Sequence, residues 1–188
     1  MALKNKNHWE KTKGAPMARL PIIIVPDPVL KATAQPVARV DDSVRRQMDD
    51  MLETMYEAPG IGLAANQVNR LNRVLVMDVT ARKGEGERKP ILMANPEVIW
   101  ESEEISVMEE GCLSIPGQFA EVERPAQVRV KYLDYQGAGQ ELLAEGLFSH
   151  CVQHEIDHLN GVLFIDYLSA LKRNMILKKV RKQQQEIM

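Results

Sequence analysis

The sequence predicts an α+β fold. Three observations carry that reading. Strand-like apolar segments crowd the first three quarters of the chain, helical stretches fall at intervals, and the segments never fall into the regular alternation that builds a parallel sheet. With 188 residues there is enough chain for a proper hydrophobic core. The expected layout is a flexible extension over residues 1–19, then a single domain over 20–188 that ends in a helix near 167–185.

Taken in order, MALKNKNHWEKTKGAPMAR is polar and basic with no sustained period, and it holds His8, the one histidine outside the 150–158 region. PIIIVPDPVLKATAQPV is punctuated by prolines and reads as short strand and turn pieces. Asp41, Asp42 and Ser43 then offer caps and negative charge, both favoured where a helix begins. Val44, Met48, Met51, Leu52 and Met55 recur at helical spacing until Pro59 and Gly60 stop the helix. Such a methionine stripe is core packing before it is a sulfur-rich binding face.

After the glycine-rich GIGLAANQV, RVLVMDV is a buried-strand candidate and ARKGEGERKP a solvated loop. ILMANPEVIW is a further strand, and ESEEISVMEE a polar edge or hairpin. In AQVRVKY, Val128, Val130 and Tyr132 alternate with Gln127, Arg129 and Lys131, the pattern of a half-buried strand, and YQGAGQ makes the turn after it. A helix from about Leu147 to Leu159 ends at Asn160–Gly161. VLFIDYL leads into the last helix.

A net charge of −2 gives no general attraction to nucleic acid, and no direct, specific nucleic-acid recognition is expected. No run approaches the length of a membrane span, and Leu20 to Val25 is too short for the apolar part of a signal peptide, so a cytoplasmic protein is expected. Two cysteines, Cys112 and Cys151, do not make a secreted disulfide framework.

The chemistry concentrates in CVQHEIDHLNG, residues 151–161. On a helix, His154 and His158 lie one turn apart with Glu155 beside the first, a pairing that can hold a divalent metal next to a carboxylate. The third ligand decides the enzyme class. The metzincin pattern would need a histidine where this chain has Phe164. A thermolysin-like site needs a downstream glutamate, and the next one is Glu186, almost at the C-terminus. His150 continues the four-residue stripe, but at about 1.5 Å rise per residue it sits roughly 12 Å along the axis from His158, too far to share one ion comfortably. That leaves Cys112, in EGCLSIPG, whose thiolate suits a borderline or soft divalent ion. A Cys–His–His set leaves one position open, the mark of a catalytic rather than a structural metal.

GIGLAANQV, EGCLSIPG and QHEIDHLNG, in that order, closely resemble the three signature motifs of the peptide deformylases. The resemblance spans roughly residues 20 to 170. It implies antiparallel sheets packed around a central helix that carries HExxH, with a C-terminal helix beyond. It also implies removal of the formyl group from the N-terminal formylmethionine of nascent polypeptides, with one Fe(II) per chain that zinc or nickel can replace. Asn66, before Gln67, falls where the family varies. His150 stands where an apolar residue is expected.

The resemblance further places Glu155 as the proton carrier between the attacking water and the leaving amine, with the Gln67 amide and the Leu113 backbone N–H as oxyanion donors. Gly60 and Gly62 let the chain approach a ligand closely. The substrate would add as a strand beside Ile61 and Gly111, its methionine side chain entering a pocket near Ile61, Leu147, His150 and Cys151. Arg124 is either a partner for the peptide's trailing end or a solvated strand residue. Asp157 either supports the site or is a helix-surface charge. LKRNMILKKVRKQQQEIM carries six basic residues against one acid, a solvated face by default and, by resemblance, a ribosome contact. The alternatives are a zinc metallopeptidase cutting internal peptide bonds and a non-catalytic metal-binding relative.

Overall fold

Asp41 starts the first helix. Its side chain accepts from the Val44 N–H at 3.0 Å, satisfying a donor that the helix itself cannot. In the computed structural model, which describes residues 18–80 and 87–187, this helix, α1, runs Asp42–Glu57. Met48, Met51 and Met55 are fully buried in the main core, the packing role read from their spacing. Burial of a side chain of that size contributes about 1.5–3 kcal/mol. His8 and all but Ala18 and Arg19 of the expected extension lie outside the described residues, as does 81–86 of the expected solvated loop.

Among the described residues seven strands follow: β1 (Gly62–Ala64), β2 (Val74–Met77), β3 (Ile91–Glu101), β4 (Ile105–Cys112), β5 (Ile115–Pro125), β6 (Gln127–Leu133) and β7 (Gly139–Glu145). Five form an antiparallel sheet in the order β1-β2-β3-β6-β7, and β4 with β5 forms a separate two-stranded ribbon. β6 has the expected alternation, with Val128 and Val130 fully buried. β3 carries a register shift at Asn95, whose φ of 51° suits asparagine, and the Asn95 amide clamps the Val37 backbone with two bonds of 2.8 Å.

Helix α2 (Gly146–Leu159) passes across the sheet, and α3 (Ala170–Ile187) packs on β5 through Ile176 and Val180. The architecture is the expected α+β arrangement of antiparallel sheets and a central helix. A second cluster, with Leu30, Ile115 and Phe164 at its centre, sits on the other side of the Cys112 loop from the main core. No helix among the described residues is long and apolar enough to cross a membrane.

Several local readings are corrected. The last helix begins at Ala170, because Phe164–Tyr167 forms a 3-10 turn first. The proline-punctuated segment forms no strand. It is lashed to the site instead, through Ile23 N–H to Gln67 C=O at 2.7 Å and Val25 N–H to Ser114 C=O at 3.0 Å. β7 was not expected, and β5 only in so far as Arg124 was read as a strand residue. In β5 the inward positions include Val122 and Arg124, and an inward arginine hides the apolar alternation.

Gly161, at the end of α2, has φ +74°, and a Cβ there would lie 2.7 Å from the carbonyl carbon of Lys31. Gly161→Ala is therefore expected to cost at least about 2 kcal/mol in a denaturant titration; an unchanged midpoint would refute the close packing of α2 on residue 31.

Candidate metal centre and adjoining cavity

Four pieces of chain meet at the site. The end of β4 delivers Cys112 and α2 delivers His154, Glu155 and His158. The 3-10 turn Ala65–Val68 delivers Gln67, and β1 supplies Gly62. The Cys112 Sγ lies 3.2 Å from the His158 Nε2, which lies 3.2 Å from the His154 Nε2. All three ligand atoms fall within 4.8 Å of one another.

Glu110 sets the orientation of His154. It is buried, and burial works against its ionisation, but hydrogen bonds from Arg124 and His154 hold its carboxyl well below the usual range. An ionised carboxylate only accepts. The 2.9 Å contact to the His154 Nδ1 therefore fixes the proton on that nitrogen and turns the Nε2 toward Cys112 and His158. Three electron-rich atoms so close repel one another. One proton on His154 is a partial remedy: burial opposes it, yet the bonds to Cys112 and Glu110 raise that imidazole above its ordinary value. Burial and the neighbouring His154 push His158 well below. A divalent cation among the three satisfies all of them at once. One thiolate and two imidazoles are a chemically suitable donor set for it, so the residues present fit a metal.

Glu155 is buried, and burial first, then Glu110, pushes its carboxyl up to about 7. Its Oε2 has no hydrogen-bond partner among the described residues. Gly62 is required beside it, since a Cβ there would lie 2.8 Å from the Glu155 Cδ. The Gln67 Oε1 accepts from the Ala64 N–H at 2.9 Å, and its Nε2 donates to the Ser114 Oγ at 3.1 Å while standing 3.5 Å from the Cys112 Sγ. The amide is thus oriented with its donor end beside the candidate metal ligand Cys112.

A cavity of about 420 Å³ opens from these groups. It is lined by Gly60, Ile61 and Gly62, by Gly111 and Leu113, and by Leu147, His150 and Cys151. Burial pushes the Cys151 thiol well up, so it is a neutral wall residue, 3.5 Å from the Ile61 C=O. β1 is the edge of its sheet and β4 is paired on one side only, so two strand edges face each other across the opening.

Arg124 is in neither of the expected places. It does not line the cavity and is only 3% exposed. It grips Glu110 with two bonds, 2.5 and 2.9 Å, and Asp157 with one of 2.8 Å. The reason is strand parity: β5 exposes Glu121 and Glu123 and buries Val122 and Arg124. Asp157 is accordingly a brace, held also by the Tyr167 hydroxyl at 2.8 Å. Sequence reading missed Glu110 and Ser114. Their proximity to Cys112 was the available signal, but parity alone cannot separate a buried carboxylate from a surface one.

Comparison with known proteins gives a consistent picture. A family model described as polypeptide deformylase matches residues 19–174. The chain is 58% identical over 166 residues to the peptide deformylase of Phenylobacterium zucineum, covering 88% of this chain and 97% of that one. It is 60% identical over 163 residues to that of Methylocella silvestris, covering 86% and 83%. The crystal structure of peptide deformylase from Ehrlichia chaffeensis is similar with a TM-score of 0.85 at 40% identity, over 90% of this chain and 98% of that one. The complex of the Ehrlichia chaffeensis peptide deformylase with actinonin gives 0.84 at 43% identity, over 89% and 98%.

The raised Glu155 carboxyl has a consequence for stability. The fold favours its protonated form, so this group contributes stability that is complete below about pH 4.5 and lost as the pH rises through 7. At about 1.4 kcal/mol per pKa unit, the effect is on the order of 3 kcal/mol. For metal-stripped protein, Glu155→Gln is expected to match the wild type near pH 4.5 and to exceed it by up to about that amount at pH 8. Denaturant titrations at the two pH values check this, and a gap of the opposite sign would contradict it.

Proposed function

The chain belongs to the peptide deformylase family, and from that premise we propose how its own residues perform the reaction. It is a metal-dependent amide hydrolase that removes the formyl group from the N-terminal methionine of newly made polypeptides, not a peptidase of internal bonds. The observation that carries the residue assignment is the convergence of Cys112, His154 and His158 beside the buried Glu155.

Cys112, His154 and His158 would hold the metal. When bound, a divalent cation supplies Lewis acidity there, which in favourable zinc sites lowers the pKa of a water to about 7. The formyl-methionyl end lies between β1 and β4, with its backbone paired near Ile61 and Gly111 and its side chain on Leu147, His150 and Cys151. Glu155 takes the proton from the attacking water. As the new carbon–oxygen bond forms, the Gln67 Nε2 and the Leu113 N–H donate to the oxygen that gains negative charge. Glu155 then delivers its proton to the amine nitrogen as the carbon–nitrogen bond breaks, leaving formate and a free N-terminus. Gly62, by admitting the carboxylate without a clash, keeps Glu155 within reach of both oxygen and nitrogen.

A thiolate with two imidazoles suits zinc as well as iron. The resemblance favours Fe(II), with zinc or nickel able to replace it. We place the enzyme in the cytoplasm, where its substrates are made. The exposed Lys178, Lys179, Arg181 and Lys182 of α3 are our candidate contact with the ribosome.

Purified protein is expected to release formate from formyl-Met-Ala-Ser and to leave casein intact; casein cleavage without formate would reject the assignment. Glu155→Ala should keep one metal per chain by elemental analysis while turnover falls roughly 100-fold or more. For the ribosome contact, changing Lys178, Lys179, Arg181 and Lys182 together to Glu leaves the Ile176 and Val180 anchor in place. It should weaken co-sedimentation with ribosomes, and undiminished binding would remove the helix from that role.

A further inference from the structure

Glu110 is held by more than Arg124 and His154. The His150 Nδ1 lies 3.2 Å from its Oε1. The carboxylate therefore has four partners. Oε1 meets the Arg124 Nε and the His150 Nδ1, and Oε2 meets the Arg124 Nη2 and the His154 Nδ1. A carboxylate offers about four acceptor positions, so this one is saturated inside the protein. Because Glu110 can only accept, the His150 Nδ1 also carries its proton. Its Nε2 is buried without a partner among the described residues. A buried imidazole with one unpartnered nitrogen is a costly choice of lining residue unless the bond to Glu110 is what it is for.

We propose that His150 is a positioning residue for the metal ligand His154, acting through the carboxylate that the two imidazoles share. The inference rests on the assignment of Cys112, His154 and His158 as metal ligands. His150 fills the lone pair of Oε1 that Arg124 leaves open, and so limits the one motion the bidentate fork allows, a twist of the carboxylate out of the guanidinium plane and away from His154. Without that donor, Glu110 keeps a buried unsatisfied lone pair and Oε2 no longer has a single preferred position. The His154 ring then loses its fixed tilt toward Cys112 and His158. The same imidazole lines the cavity, so the lining of the side-chain pocket and the orientation of a metal ligand are set by one group.

The experiment follows the metal rather than turnover. Protein loaded with zinc is mixed with a chromogenic chelator and the rate of metal loss is recorded, for the wild type, His150→Leu and His150→Asn. Asparagine keeps a donor near the place of Nδ1, and leucine fills the space without one. Partners directly bonded to a metal ligand change affinity by roughly 10- to 100-fold. His150 is one bond further away, so His150→Leu is expected to lose zinc about 3- to 10-fold faster, with His150→Asn close to the wild type. Equal rates for all three would overturn the proposal. So would equal acceleration in both variants with matching losses of metal-free Tm, because His150 would then act through packing alone. If wild-type protein and Cys112→Ala retain zinc equally, it is the ligand assignment that fails, a result distinct from either of these.

Discussion

A thiol and two imidazoles with their ligand atoms within 4.8 Å of one another cannot be left to chance contacts, because each presents a lone pair to the others. The surrounding structure serves to hold them there. Cys112 sits at the last position of a strand, where ladder pairing fixes the backbone. His154 and His158 sit on consecutive turns of a helix buried over most of its length. The imidazole of His154 also stacks on Phe164, with ring centroids 6.2 Å apart, so the second apolar cluster covers one face of the ring while Glu110 holds its edge at Nδ1.

The β4–β5 ribbon shares no ladder with the five-stranded sheet, and so needs another means of registering Cys112 against α2. Arg124 provides it. From β5 it reaches Glu110 on β4 and Asp157 on α2, and Tyr167 closes the far end beneath the guanidinium. A buried ion pair of this kind is weak support for stability in general, since desolvation offsets the attraction. Its value here is geometric: the planar, bidentate fork fixes an angle as well as a distance. Glu155 is treated the opposite way. Its Oε2 has no partner among the described residues, and burial keeps its proton affinity near neutrality, which suits the proton-carrying role proposed for it.

Much of the site could be read from short-range pattern. The i, i+4 spacing of His154 and His158, the neighbouring carboxylate and the absence of another third ligand led to Cys112 without coordinates. The helix boundaries at Asp41 and Gly161 were legible for the same reason, because capping and chain reversal are local. Arg124 was not legible. Its side chain is long enough to serve on either face of a strand, and the alternation of β5 is masked by the arginine itself. Glu110 and Ser114 were passed over because a short polar side chain beside a ligand looks the same whether it faces inward or outward.

The amino-acid order by itself determined the α+β class and the helix that carries HExxH, and it singled out Cys112, His154 and His158 as candidate ligands and Glu155 as the candidate proton carrier, since each depends on residues close in sequence or on a donor type that few positions offer. Tertiary structure alone decided which way Glu110 and Arg124 face, that His150 shares a carboxylate with His154, and that the proline-rich segment braces the Gln67 turn. Those outcomes depend on strand parity and on contacts between segments far apart in the chain, where one step of register sends a side chain to the opposite face.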